Sequence, residues 1–342
     1  MTDQASLLRR DASVRRAGVS ARARPVLVRE DMTSRDPQAL SIAMISNPRS
    51  HRNGGGLRPV GASDADIRCA APDTKAALDL AVADFAARGV DVIVINGGDG
   101  TVRDVISAAR RIYTDALPKF AILPSGKTNA IAIDLGVPSD ISLDTLVGAI
   151  RSGAVRARTP LEISRKGAQG PELSGFLFGA GAFVKATELA QTTHRFGAFN
   201  GMAVMLSLIA SIVQTMFGAK DRGWRVGDQM RIGGDVVSEG RFYLLLCSTL
   251  DRFPLGLKPL GQLGEGMKLL AVDAPPRQML RRVPMLLAGI DNDGMKRAGY
   301  HHYPAQSLDI TLDGNFILDG ETYRGGELTL RRGAPLDFVV LP

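Results

Sequence analysis

Cysteine is nearly absent from the 342 residues. Cys69 and Cys247 stand far apart and no C-x-x-C occurs, which excludes a disulfide framework and a zinc cluster and points to a reducing compartment. The four histidines, His51, His194, His301 and His302, lack metal-ligand spacing; the adjacent pair would face opposite sides of a strand. Aromatics are only 5% of the chain. No aromatic-rich basic stripe and no helix-turn-helix spacing accompanies the pI near 9.6, so nucleic acid is not an expected partner. The amino-terminal residues lack the apolar core of a secretory signal, and the expected location is cytoplasmic.

With 45% hydrophobic and 23% charged residues, the chain can bury enough apolar surface to exclude wholesale disorder, and its length suits two domains. The net charge is +7; residues 1–29 hold seven arginines against Asp3 and Asp11, a local excess of 7 − 2 = +5. Two readings stand for residues 1–39: a disordered tail, or a start assigned upstream of Met32 or Met44, against attachment to an anionic membrane surface.

Residues 40–46 form a short apolar run ending at Asn47-Pro48, a buried strand followed by a turn, with a Gly-rich loop at residues 53–56. Ala77, Leu80, Ala81, Val82 and Phe85 then recur at helical spacing up to Arg88-Gly89. Residues 90–95 are almost continuously β-branched, as parallel strands are, and run into Asn96-Gly97-Gly98-Asp99-Gly100-Thr101. Val102, Val105, Ile106, Ala109 and Ile112 mark the helix that follows. Strand, glycine turn and helix N-terminus together bring backbone N–H groups to bear on phosphate oxygens, and Asp99 would face the same phosphates through Mg²⁺. The alternative is a plain turn with a capping aspartate. A further strand at residues 120–123 ends in Pro124-Ser125-Gly126-Lys127-Thr128-Asn129, before a short helix at residues 130–135. Gly126-Lys127-Thr128 is not a P-loop, because the first glycine of that motif would fall on Ala121. It supplies a second phosphate or ribose contact beside the first.

Asn47-Pro48, the Gly-Gly-Asp-Gly-Thr of residues 97–101 and the Pro-x-Gly-x-Thr-Asn of residues 124–129 resemble the catalytic domain of the diacylglycerol kinase family, which includes bacterial lipid kinases, sphingosine kinases and ceramide kinases. The resemblance implies an α/β fold of two domains: an N-terminal Rossmann-like nucleotide-binding domain at residues 40–153 and a C-terminal antiparallel, β-rich, sandwich-like domain at residues 154–342, with a return of the chain end to the first as an open option. It implies ATP and Mg²⁺, with Asn47, Gly97, Gly98, Asp99, Gly100, Thr101, Ser125, Gly126, Lys127, Thr128 and Asn129 on the nucleotide. Residues 178–184 resemble the family's segment opening a helix. Pro259, Gly261, Glu265 and Gly266 keep the spacing of its metal loop, which puts Mg²⁺ on Asp99 and Glu265. Residues 316–321 match its D-G-E segment, which makes Asp319 the general base and Glu321 its support. Four departures stand out: Lys127, Ala130 in place of an acid, Glu265 in place of an aspartate, and Ser50-His51 where Ser-Gly usually follows Asn47-Pro48.

Read without the family, residues 316–321 are an apolar strand ending in two carboxylates that period two places on one side, or else a surface hairpin turn. Residues 196–219 carry no charge and are rich in Met and Leu, while Gly197, Asn200 and Ser207 make them a poor membrane span. A buried core helix or a lipid-facing helix is expected there. Further strands are expected at residues 224–226, 231–232, 242–246, 269–272 and 308–312, and a helix at 276–290. The expected activity is transfer of the ATP γ-phosphate to a hydroxyl of a membrane lipid, diacylglycerol or ceramide in type, by a peripherally membrane-associated enzyme whose oligomeric state is open, a homodimer being one option. NAD kinase is the rival enzyme, although no Asn-Glu pair occurs; an inactive nucleotide-binding regulator is the rival without chemistry.

Overall fold

The computed structural model describes residues 40–50, 67–114, 116–193, 225–262 and 266–342. The basic tail at residues 1–39, the loop at 53–56, the uncharged stretch at 196–219 and the metal-loop Glu265 lie outside the described residues.

Strands β1 (Ile42–Ser46), β2 (Ile67–Ala70), β3 (Val92–Gly97) and β4 (Lys119–Pro124) run parallel in the order β2-β1-β3-β4. Successive side chains alternate between faces. Ala43, Ile45, Ile93 and Ile95 pack under helices α1 (Lys75–Ala87), α2 (Asp99–Ile112) and α3 (Ala130–Leu135), whereas Ile42, Met44, Val92 and Val94 pack against α4 (Leu143–Ser152). Burial on both faces is why these strands read as unbroken apolar runs. The Thr74 and Ser142 side chains accept N–H groups from Ala77 and Thr145, each at 3.1 Å, and so fix where α1 and α4 begin.

The sheet is completed from elsewhere in the chain. Strand β15 (Leu336–Val339) lies parallel to β4 through Phe338 opposite Phe120, and β5 (Val155–Arg158) pairs antiparallel with β15. Several elements had no counterpart in the sequence reading, β2 and α4 among them. Strand β2 is a four-residue edge whose Arg68 and Cys69 are exposed, so it carries little apolar signal, and α4 follows the turn around Pro138, which the reading passed over.

The second domain is one nine-stranded antiparallel sheet: β6 (Leu161–Arg165), β7 (Leu173–Gly175), β8 (Leu177–Gly181), β9 (Asp228–Gly234), β10 (Ser238–Ser248), β11 (Met267–Asp273), β12 (Tyr300–Ala305), β13 (Ser307–Leu318) and β14 (Glu321–Arg332). Both β8 and β9 pair with β10 and with β13, so the sheet closes into a small ring and the sandwich-like half takes a barrel-like form. Phe178 stacks on Phe316 at 5.2 Å inside it. Leu244, Leu270 and Val272 are covered by α5 (Ala182–Thr193), α6 (Met279–Leu287) and α7 (Asp293–Arg297).

Arg225 and Val226, expected in a strand, form a 3₁₀ turn, and the strand starts at Asp228. The helix expected at residues 276–290 is shorter, because Gln278 takes the left-handed conformation (φ 48°) and the helix begins after it. On β12, His302 is buried and His301 half-buried. Among the described residues, no helix is long and apolar enough to cross a membrane.

Candidate functional site

Three turns at the carboxyl ends of β1, β3 and β4 form the floor of a cleft, the place where open parallel sheets bind ligands. The first is residues 47–50. Asn47 donates from Nδ2 to Thr101 Oγ1 (2.9 Å) and accepts the Arg49 N–H (2.9 Å), so it ties the first turn to the second. Residues 97–101 are the second turn, with Gly98 as N-cap of α2 in extended conformation. The third is residues 124–129. Its Asn129, left-handed at φ 52°, accepts the Gly126 N–H (3.1 Å) and returns its amide to the Gly126 carbonyl (3.0 Å). Ser125 and Ser50 hydroxyls meet at 3.0 Å.

The glycines are needed because the second and third turns touch. A Cβ on Gly126 would stand 2.4 Å from Gly98 Cα, and one on Gly98 would stand 2.9 Å from Gly126 Cα. Gly126→Ala is therefore expected to push the two turns apart, at a cost of about 1–3 kcal/mol. The check is the urea midpoint together with nucleotide affinity, both of which should fall.

Opposite this floor is the hairpin between β13 and β14. Asp319 (φ 46°) and Gly320 (φ 83°) are both left-handed, the backbone of a two-residue hairpin turn favoured by Asp-Gly. The hairpin reading is thus correct in geometry but not in location, since the turn faces the first domain. Period two does not hold across such a turn, so the expectation that the two carboxylates share a side is corrected. Asp319 accepts the N–H groups of Phe176 (3.0 Å) and Leu177 (2.8 Å), whereas Glu321 pairs with Arg103 on α2.

Arg103 joins the two halves. It is 1% exposed and donates to the Leu318 carbonyl (3.0 Å), to Glu321 and to Asp104 (2.8 Å), with the Tyr323 ring 5.7 Å from its guanidinium. Burial works against its charge, but Asp104, Tyr323 and Glu321 outweigh that and hold its pKa above the ordinary value. Burial also raises Asp319, to about 7; the Arg103 charge opposes that rise and the Asp99 charge adds to it. Asp99 and Asp319 are therefore within electrostatic reach of one another across the domain boundary.

Between floor and hairpin is a cavity of about 420 Å³ lined by Asn47, Arg49, Ser50, Gly98, Gly100, Thr101, Arg103, Asp104, Gly126, Lys127 and Glu321. Of the residues expected from sequence, Asn47, Gly98, Gly100, Thr101, Gly126, Lys127 and Glu321 line it. Gly97, Ser125, Thr128 and Asn129 shape the turns beneath, and Asp319 does not line it. Arg49, Ser50, Arg103 and Asp104 were missed. The one available signal was the Arg103-Asp104 pair on an otherwise apolar stretch of helix, where residues 105–109 are buried.

The Asp99 carboxylate faces α3, where it accepts the Ile131 N–H at 3.1 Å. Burial raises its pKa, opposed by the N–H groups of residues 131, 130, 99 and 129. Among the described residues no three acidic, His or Cys side chains gather as a metal set, and the two carboxylates lining the cavity, Asp104 and Glu321, are both engaged by Arg103. The described residues alone do not form a Mg²⁺ site.

Residues 61–161 match the family described as the diacylglycerol kinase catalytic domain. A protein named "Probable lipid kinase YegS-like" from Stenotrophomonas maltophilia (strain K279a) is 44% identical over 61 residues, 17% of this chain and 20% of that protein. The diacylglycerol kinase of Bacillus subtilis (strain 168) is 33% identical over 85 residues, 24% of this chain and 26% of the other. The matched stretches thus span 20% to 26% of these relatives' own lengths. A crystal structure of a diacylglycerol kinase from Bacillus anthracis str. Sterne superposes with a TM-score of 0.59 at 16% identity, covering 88% of this chain and 97% of that one, a likeness of fold. Over residues 61–161, then, this chain is similar to the diacylglycerol kinase catalytic domain, and over most of its length it shares the fold of a solved diacylglycerol kinase.

Proposed function

We propose that this chain is an ATP-dependent lipid kinase that transfers the γ-phosphoryl group to a hydroxyl of a membrane lipid of the diacylglycerol or ceramide type. The observation that carries this reading is the cavity in which the glycine turn of one domain and the acidic hairpin of the other meet. The first-turn N–H groups of α2, with the helix dipole behind them, suit phosphate oxygens, and Arg49 and Lys127 add cations at the rim. Only glycine leaves the turn's backbone open to so close an approach.

Asp319 takes the proton of the acceptor hydroxyl as its oxygen bonds to the γ-phosphorus and the bond to the β–γ bridging oxygen breaks, releasing ADP. A pKa of about 7 suits that role near neutral pH, and the two N–H groups on its oxygens leave lone pairs for the proton. Arg103 fixes Glu321 and the Leu318 carbonyl, and so orients the hairpin against the phosphates. Catalysis of this kind consists largely of positioning and charge neutralisation. Mg²⁺ would accompany the nucleotide, as it does in phosphoryl transfer generally, and no step here depends on where it binds. In this reading the enzyme works at a cytoplasmic, anionic membrane surface.

The experiment is incubation with γ-labelled ATP and a panel of diacylglycerol, ceramide, sphingosine, NAD⁺ and no acceptor. Label in one of the lipids is expected. Label in NAD⁺ alone would make the chain an NAD kinase, and label in none would make it a regulator.

A further inference from the structure

Helix α6 (Met279–Leu287) turns two unlike sides outward and inward. Leu286 is buried, and Met279 and Met285 pack on the core beneath. On the other side Leu280 is 70% exposed, and Arg281, Pro284 and Ala288 are exposed along the same helical stripe, with Arg277 exposed just before the helix begins. Ile290, just beyond, is 40% exposed. Residues 274–290 contain three arginines and no acid.

A second segment abuts this helix. The Lys258 N–H donates to the Leu287 carbonyl at 2.9 Å, and a Cβ on Gly289 would lie 2.9 Å from Lys258 Cβ. This places the turn at residues 254–258 against the carboxyl end of α6. In that turn Leu255 has φ 60° and is 47% exposed. A bulky aliphatic residue in the left-handed region is strained, and an exposed one gains nothing in water to offset the strain. Two of the neighbouring acids are turned elsewhere, Asp251 toward Arg158 and Lys268 and Asp291 toward His302, while Asp293 is exposed at the start of α7.

We propose that Leu255, Leu280 and Ile290, ringed by Lys258, Arg277 and Arg281, are the face by which this chain sits on an anionic lipid bilayer. Aliphatic tips in a cationic frame suit the boundary between headgroups and acyl chains, where apolar area and charge attraction add. A nucleic-acid surface would call for stacking aromatics, which this patch lacks. The placement also serves the reaction, and in that respect rests on the lipid-kinase reading. The N–H groups of Asp251 and Arg252 bond the Asp134 carboxylate on α3, at 2.9 and 2.8 Å. Helix α3 follows directly on the third turn of the cleft. Its six residues span about 9 Å, and the three steps from Arg252 to Leu255 add at most about 11 Å. The bilayer surface would therefore lie within a lipid's length of the cavity.

The test is co-sedimentation of the full chain with phosphatidylcholine vesicles, with and without phosphatidylglycerol, in the absence of ATP. Wild type is expected to bind the anionic vesicles and leave the neutral ones. Leu280→Ser with Arg281→Gln should weaken binding on the order of tenfold or more. Leu255→Asn should weaken binding too while melting at or above the wild-type temperature, since Asn accepts the left-handed conformation. Both variants should phosphorylate a water-soluble, short-chain acceptor at the wild-type rate. Binding by both variants within twofold of wild type would assign attachment to the arginines of residues 1–29 and overturn the proposal, as would equal wild-type binding to neutral vesicles. If wild type labels no acceptor yet these variants lose the vesicles, the kinase reading fails and this surface stands.

Discussion

Asp319→Asn is expected to retain ATP affinity and to lose phosphoryl transfer by on the order of a hundredfold to ten-thousandfold, the usual contribution of a positioned general base. The amide keeps an acceptor oxygen for the Phe176 and Leu177 N–H groups, so the hairpin should stay in place. Two pH dependences follow from a carboxyl raised from 3.8 to about 7. In the wild type, kcat should rise as pH passes through about 7 and level off above it, because only the ionised form accepts a proton. In the variant that rise should vanish from the residual rate. Stability runs the other way. Between 3.8 and about 7 the folded chain holds a proton that the unfolded chain releases, so the contribution of this group falls as pH rises through that window. Asp319→Asn should accordingly melt above wild type at pH 8 and lose that advantage by pH 4. A Glu321→Gln variant that lost the pH-dependent rise, while Asp319→Asn kept it, would move the base to Glu321.

Arg103→Met is expected to lower stability by about 2–4 kcal/mol, since it leaves the Leu318 carbonyl buried without its donor and Asp104 and Glu321 facing one another. Glu321 is 53% exposed, which tempers the loss through solvent screening. The guanidinium charge holds Asp319 down, so its removal should move the rise in kcat to higher pH. Arg103→Lys separates the two effects. It keeps a cation near Asp319 and so most of the wild-type pH profile, while a single ammonium cannot span Leu318, Glu321 and Asp104 and stability stays low. A purely structural role for Arg103 predicts equal loss in both variants and an unmoved profile.

The turns were legible because each follows a strand buried on both faces, and such strands leave a continuous apolar run that stops abruptly at Asn47, Asn96 and Pro124. Contacts across the fold left no such trace. The sequence reading of Asp99 as a ligand of phosphate-bound metal gave no sign that α3 also presents the Ile131 N–H to its carboxylate. Asp319 and Glu321 read as neighbours on one face until the left-handed turn separates them. Arg103 looks like one more surface charge on an amphipathic helix; only the return of β14 from the far end of the chain gives it Glu321 and the Tyr323 ring. Strand β15 likewise enters the nucleotide sheet from beyond the second domain, and its pairing with β4 and β5 is set by tertiary contact and not by local pattern.

The central claim is that a phosphate cradle on one domain and a proton acceptor on the other act on a single lipid hydroxyl. The most direct measurement is passage of label from γ-³²P-ATP into organic-extractable lipid, made side by side for wild type and Asp319→Asn with ATP binding measured on both. The account predicts labelled phospholipid from wild type, little or none from the variant, and equal nucleotide affinity. Equal labelling by the two proteins, or none by a wild type that binds ATP, would contradict it.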